Sequence, residues 1–137
     1  MADITITAAD VDPGDNAMMA SGIAGATITA GAAVYRNAAD SGRISLADAD
    51  LSQAASAAVG IALTGSSADQ PISYQLTGDL DLGATLAVGT IYVVSDTAGA
   101  IMPASDLSSG DYPVVLGIAD AANNLKVSIT HGEAPVP

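Results

Sequence analysis

The chain has no cysteine, no phenylalanine and no tryptophan, and only three cationic side chains, Arg36, Arg43 and Lys126. Without cysteine, disulfides and thiolate metal sites are excluded. Without Phe and Trp, the four tyrosines Tyr35, Tyr74, Tyr92 and Tyr112 are the only aromatics, so Ile, Val, Leu and many Ala must fill the interior. Each of these buries little apolar area, and a thin core gains stability by oligomerising. With a net charge of -12, the surface repels phosphate backbones and anionic membranes, which sets nucleic acid and membrane aside as partners. No apolar run approaches the ~20 residues of a membrane helix. No basic-then-apolar leader is visible either.

What is present is a repeat. Gly25-Ala26-Thr27-Ile28-Thr29-Ala30-Gly31 returns as Gly83-Ala84-Thr85-Leu86-Ala87-Val88-Gly89. Gly42 and Ile44 return as Gly99 and Ile101, Asp50-Leu51-Ser52 as Asp106-Leu107-Ser108, and Gly60-Ile61-Ala62 as Gly117-Ile118-Ala119. The matches keep their order and nearly one offset, so the chain reads as two related halves of one fold. A chain of 137 residues makes a single domain, 1–137. Within it we place an N-terminal extension (1–24), a first repeat (25–82), a second repeat (83–132) and a tail (133–137).

Local patterning is that of short strands. Ile4 and Ile6 alternate with Thr5 and Thr7, a half-buried strand signal over Asp3–Ala8. The run Asp10-Val11-Asp12-Pro13-Gly14-Asp15-Asn16 reads as a loop. Residues 32–35, 43–46, 59–63, 72–76, 90–94, 100–102, 114–119 and 125–130 read as strands. The Ala-rich stretch 48–58 predicts one brief helix with Asp48 or Asp50 as N-cap. The expected fold is all-β: a compact barrel or sandwich of short strands built from two pseudo-equivalent halves, with at most a short helix and an N-terminal extension.

Catalytic and metal chemistry find little footing. The single histidine, His131, has no nucleophile beside it, and Gly65-Ser66-Ser67-Ala68-Asp69 departs from a nucleophile elbow at its last position. It reads as a surface residue, and the chain as a non-enzyme. Asp10-x-Asp12 with Asp15, Asp48-x-Asp50 and Asp79-x-Asp81 offer oxygen ligands of the kind Ca²⁺ takes. None fits an EF-hand loop, since the twelfth position from Asp10 is Ser21, and we read them as solvated turn residues. Gly22-Ile23-Ala24-Gly25 lacks the Lys and Ser/Thr of a phosphate loop. No cofactor and no metal is expected. Tyr35 and Tyr92 fall near equivalent repeat positions and read as packing residues.

The strand-turn Ile28-Thr29-Ala30-Gly31-Ala32-Ala33-Val34-Tyr35, an Ala-rich stretch, Val59-Gly60-Ile61-Ala62-Leu63, and a later strand leading to Gly78 together resemble the head decoration (capsid cement) proteins of tailed bacteriophages. The resemblance covers about residues 20 to 132. It implies a structural, non-catalytic β-rich protein on the outer surface of the virion capsid. Its partner would be the major capsid protein, and it would be a homo-oligomer, with a trimer favoured. Ile4 and Ile6 are candidate partner-binding residues, because an extension can add a strand to a neighbour's sheet edge. The other reading is that Asp3–Ala8 pairs within its own subunit. Arg36 and Arg43 flank one turn; they either meet Asp residues across a subunit contact or stay solvated. A sugar- or surface-binding β module of a phage fibre or adhesin is the alternative function.

Overall fold

The computed structural model describes residues 3–131. Ten strands form one curled antiparallel sheet. They are β1 (Val11–Pro13), β2 (Met18–Ile23), β3 (Ala33–Asn37), β4 (Arg43–Leu46), β5 (Gly60–Ala62), β6 (Pro71–Leu82), β7 (Ile91–Val94), β8 (Ile101–Pro103), β9 (Val114–Ala121) and β10 (Asn124–His131). One short helix, α1 (Gln53–Ser56), lies between β4 and β5. The fold is all-β, as the short alternating runs and frequent turn residues require.

The hydrogen-bonded path runs β4-β3-β5-β6-β10-β9-β7-β8. Followed inward from either end it is one topology used twice. A hairpin comes first (β3–β4, β7–β8), then a strand returning beside the hairpin's first member (β5, β9), then a last strand beside that (β6, β10). Register fixes the equivalences. Val34 faces Gly60 and Leu46, whereas Tyr92 faces Gly117 and Pro103. Val34 and Tyr92 thus hold one position, Ile44 and Ile101 another. Tyr35 is one register step away from Tyr92 and corresponds to Val93, so the two tyrosines point to opposite faces.

The repeated Gly-Ile-Ala has a steric cause. A Cβ on Gly60 would lie 2.5 Å from the carbonyl oxygen of Gln75, and a Cβ on Gly117 would lie closer still to that of Lys126. Gln75 and Lys126 are the register partners of Ile61 and Ile118, so the same pinch between strands occurs in both halves and only glycine fits it. Gly42 and Gly99 recur for a different reason. Both turn their hairpins at positive φ, 77° and 78°, which a side chain disfavours.

The extension is built into the sheet. Tyr74 pairs with Ala20 on one side and Ala62 on the other; Leu80 pairs with Pro13 and Leu125. β1 and β2 therefore line the edge of β6 opposite β5 and β10, and leave no open edge along that long strand. Between them the chain bulges at Gly78, where Gly14 N–H donates to Asp79 O and Asp79 N–H to Asn16 Oδ1, both at 2.8 Å. Fully buried Gln75 donates its amide to Thr77 O (3.2 Å) and Asp79 O (2.9 Å) and braces the bulge. Farther out, Gly25 N–H donates to Ile44 O at 2.8 Å and Ile4 N–H to Ile101 O at 2.9 Å. Since Ile44 and Ile101 are equivalent, one N-terminal strap ties down the outer hairpin of each half.

Two apolar clusters result. Ala24, Ile28, Val34, Ile44, Ala62, Ile72 and Tyr74 fill the first half. Tyr92, Val94, Ile101, Leu116, Ala119, Leu125 and Val127 fill the second, joined by Ala33, Ala47, Ala49, Ala58 and Ile61 from the outer side of the first half. The second cluster is thus also the junction between halves. An aliphatic side chain buried this way contributes about 1.5–3 kcal/mol.

Several local expectations shift. The segment read as a loop contains β1, recruited by β6 rather than by its own propensity. Asp3–Thr7 is extended without forming a strand, and Ala8–Asp10 is a 3-10 turn. The helix is shorter than 48–58, and its N-cap is Ser52, whose Oγ accepts from Ala55 N–H at 3.0 Å, not Asp48 or Asp50. Outside the strands, Ile28 makes an isolated bridge to Ser66. The segment 132–137, with the tail, lies outside the described residues.

Candidate functional site

The strongest concentration of charge comes from turns that the duplication brings together. Asp50 lies between β4 and α1, Asp96 in the β7–β8 turn, and Asp111 before β9. One carboxylate oxygen from each falls within 4.8 Å of the others. Backbone bonds hold these turns in place. Ala49 N–H donates to Ser95 O (2.9 Å) and Tyr112 N–H to Ala49 O (2.8 Å), so all three aspartates flank one ladder. Asp111 is buried and accepts from Ser108 N–H at 2.9 Å. Asp3 adds a further carboxylate, accepting from Ser95 Oγ at 2.5 Å.

Crowding raises the proton affinity here. Asp48 is pushed up to about 6, first by burial and then by its contact with Asp50. Asp96 is also raised, by burial first and then by the charges of Asp111, Asp50 and Asp3. Three carboxylates at this spacing could supply oxygen ligands to a hard cation such as Ca²⁺. Sequence spacing singled out Asp48-x-Asp50 but missed Asp96 and Asp111, because only the folded ladder joins them. The pair Asp79-x-Asp81 serves local structure: Asp79 accepts from Asn124, and Asp81 accepts from Gly83 N–H, whereas Asp10, Asp12 and Asp15 are exposed.

The sequence-selected partner residues separate into two places. Ile4 and Ile6 are half-buried and pack against the second-half core of their own chain. Ile6 lies against Gly31 and, with Ile4, borders a hollow lined also by Leu46 and Gly99. Arg36 and Arg43 do come together, at a hollow of about 390 Å³ between β2 and the β3–β4 turn, beside exposed Ile23. Arg43 pairs with Asp40 (3.3 Å) and Asp69 (3.1 Å). Arg36 donates to Gly42 O (3.2 Å) and to Tyr74 Oη (3.1 Å). Both arginines are therefore engaged within the chain. His131 is exposed, with its Nε2 2.6 Å from Ala58 O.

Apart from Leu51 between β4 and α1, the large exposed apolar side chains form two strips that sequence reasoning did not single out. One is Met18, Met19 and Ile23 on β2; the other is Val88 with the cross-strand pair Ile91 and Ile118. Alternation alone could not reveal them, because their exposure depends on what the neighbouring half covers. Among the described residues no helix is long and apolar enough to cross a membrane. The chain matches no family model, no curated protein and no solved structure.

Proposed function

We propose that the chain is a structural virion protein that binds the outer surface of an assembled phage capsid and stabilises it, acting as a homo-oligomer against the major capsid protein. The observation that carries this reading is the pair of exposed apolar strips on a strapped, strongly acidic β body. Such strips on an otherwise charged surface mark protein contacts. A strapped sheet presents them without the ordering cost a flexible segment would incur. Several weak contacts engaged at once by an oligomer then give a high overall affinity. The resemblance of Ala30–Tyr35 and Val59–Leu63 to capsid cement proteins supports the same reading. In the fold these two segments are the paired strands β3 and β5 and the residues flanking them. Nothing in the arrangement favours a sugar-binding role: Tyr74 and Tyr92 are buried and Tyr35 and Tyr112 half-buried, so no tyrosine offers an open stacking platform.

The test is to mix the purified protein with undecorated heads and pellet them. Saturable co-sedimentation, with heads that survive a higher temperature or lower salt, is the expected result. Protein that stays in the supernatant at every ratio refutes the proposal.

A further inference from the structure

The duplication allows each outward-facing position in one half to be compared with its twin. In the first half, Ala33, Ile61 and Gln75 form a cross-strand row, and all three are fully buried, Ala33 and Ile61 within the cluster shared with the second half. The twin row is Ile91, Ile118 and Lys126, joined by the same pairings. Here Ile91 is 41% and Ile118 47% exposed, and Lys126 is exposed as well. Val88, 67% exposed, extends the strip. The same sheet face is thus covered in one half and bare in the other, and the bare copy carries Ile91 where the covered one has Ala33.

We infer that this bare row is covered by a second copy of the chain. Charge selects that occupant. Two copies of a molecule with net charge -12 repel, so a stable contact between them needs a cation at the seam. Lys126 is one of only three cations, and it stands at the end of the apolar row. Among the described residues it has no carboxylate partner, since the ion pairs there belong to Arg43. Exposed Asp120 stands two residues along β9 from Ile118, its Oδ1 accepting from Asn124 Nδ2 at 2.6 Å. An apolar pair bordered by a cation at the end of its row and a carboxylate in the next row is complementary to itself about a two-fold axis that passes between Lys126 and Asp120: Lys126 of each copy can meet Asp120 of its neighbour. The inference rests on the homo-oligomeric part of the proposed function and gives it a location.

Sedimentation equilibrium on the full chain, over a wide concentration range, tests it. The wild type is expected to associate. Ile118→Asp is expected to weaken association by about 100-fold, and at concentrations where both proteins are dissociated its melting curve should stay close to that of the wild type, because the position is at the surface. Lys126→Glu is expected to weaken association about tenfold, and Asp120→Lys added to it to restore most of the loss. A wild type that stays monomeric throughout, or an oligomer indifferent to both Ile118→Asp and Lys126→Glu, overturns the inference. A monomeric wild type whose binding to heads is lost in Ile118→Asp also overturns it, and makes the shell the occupant. An intact oligomer that ignores heads leaves the seam standing and removes only the capsid reading.

Discussion

In the first half the row Ala33–Ile61–Gln75 is fully buried; in the second, Ile91–Ile118–Lys126 meets solvent. Inward-facing twins behave differently from these outward ones. Val34 and Tyr92, Ala62 and Ala119, and Tyr74 and Leu125 are buried in both halves. A duplicated sheet must keep both inner faces apolar, because each half closes over its own interior. Its outer faces are free to diverge once one half lies against the other. The contrast between Gln75, whose amide braces a bulge, and Lys126, whose ammonium reaches water, is what that freedom produces at a single position.

The sharpest way to break the comparison is to truncate both isoleucines. Ile61→Ala should cost about 3 kcal/mol in urea unfolding, from lost burial and the cavity left behind. Ile118→Ala should stay within about 0.5 kcal/mol for the dissociated chain. Equal losses would mean that the halves are covered alike. The glycine pair comes next: Gly117→Ala and Gly60→Ala should each cost about 2–3 kcal/mol, with Gly117 the more severe because its Cβ would meet Lys126 O more closely. Ile6→Ala should cost about 1–2 kcal/mol by loosening the strap on the second half. A melting curve indistinguishable from wild type would show that residues 3–7 do not hold that half closed.

The smallest expected effect concerns acid. Asp48 titrates near 6 in the fold against 3.8 for the free group, so the folded state holds that proton more tightly than the unfolded one. Its contribution therefore favours folding at low pH, is lost as pH rises from about 4 to about 6, and is level above that. Asp48→Asn should raise the melting temperature by about 1–3 °C at pH 7 and leave it unchanged near pH 4. A gain that persists at pH 4 would show that packing, rather than charge, lies behind it.

The duplication was legible because sterics write it into the chain. Gly60 and Gly117 must be glycine at a backbone pinch, and Gly42 and Gly99 must turn at positive φ, so all four survive as landmarks. The last strands were harder to align. Tyr74 and Leu125 are twins only 51 positions apart, because residues 63–70 between β5 and β6 shrink to Ala122 and Asn123 between β9 and β10. β1 was illegible for another reason: Val11-Asp12-Pro13 has turn propensity, and only the edge of β6 makes it a strand. The acidic cluster was illegible too, since Asp50, Asp96 and Asp111 are distant in sequence and meet through a ladder that exists only once both halves are in place. Of the residues chosen for partner contact, Arg36 and Arg43 were rightly placed at one turn, but their bonds to Tyr74 and Asp69 depend on tertiary pairing.

The strap has a consequence for how the molecule comes into being. Ile4 and Gly25 are translated early, yet Ile101, β6 and β8, to which this stretch binds, come off the ribosome later. A nascent chain must hold its leading segment unpaired until most of the polypeptide has emerged, so completion depends on contacts of very long sequence separation and is correspondingly slow. Once β6 has emerged, the edge that β10 later takes stays bare until residues 124–131 follow, open to pairing with other nascent chains. The acidic composition, with a net charge of -12, works against that pairing, because unfinished molecules push one another apart.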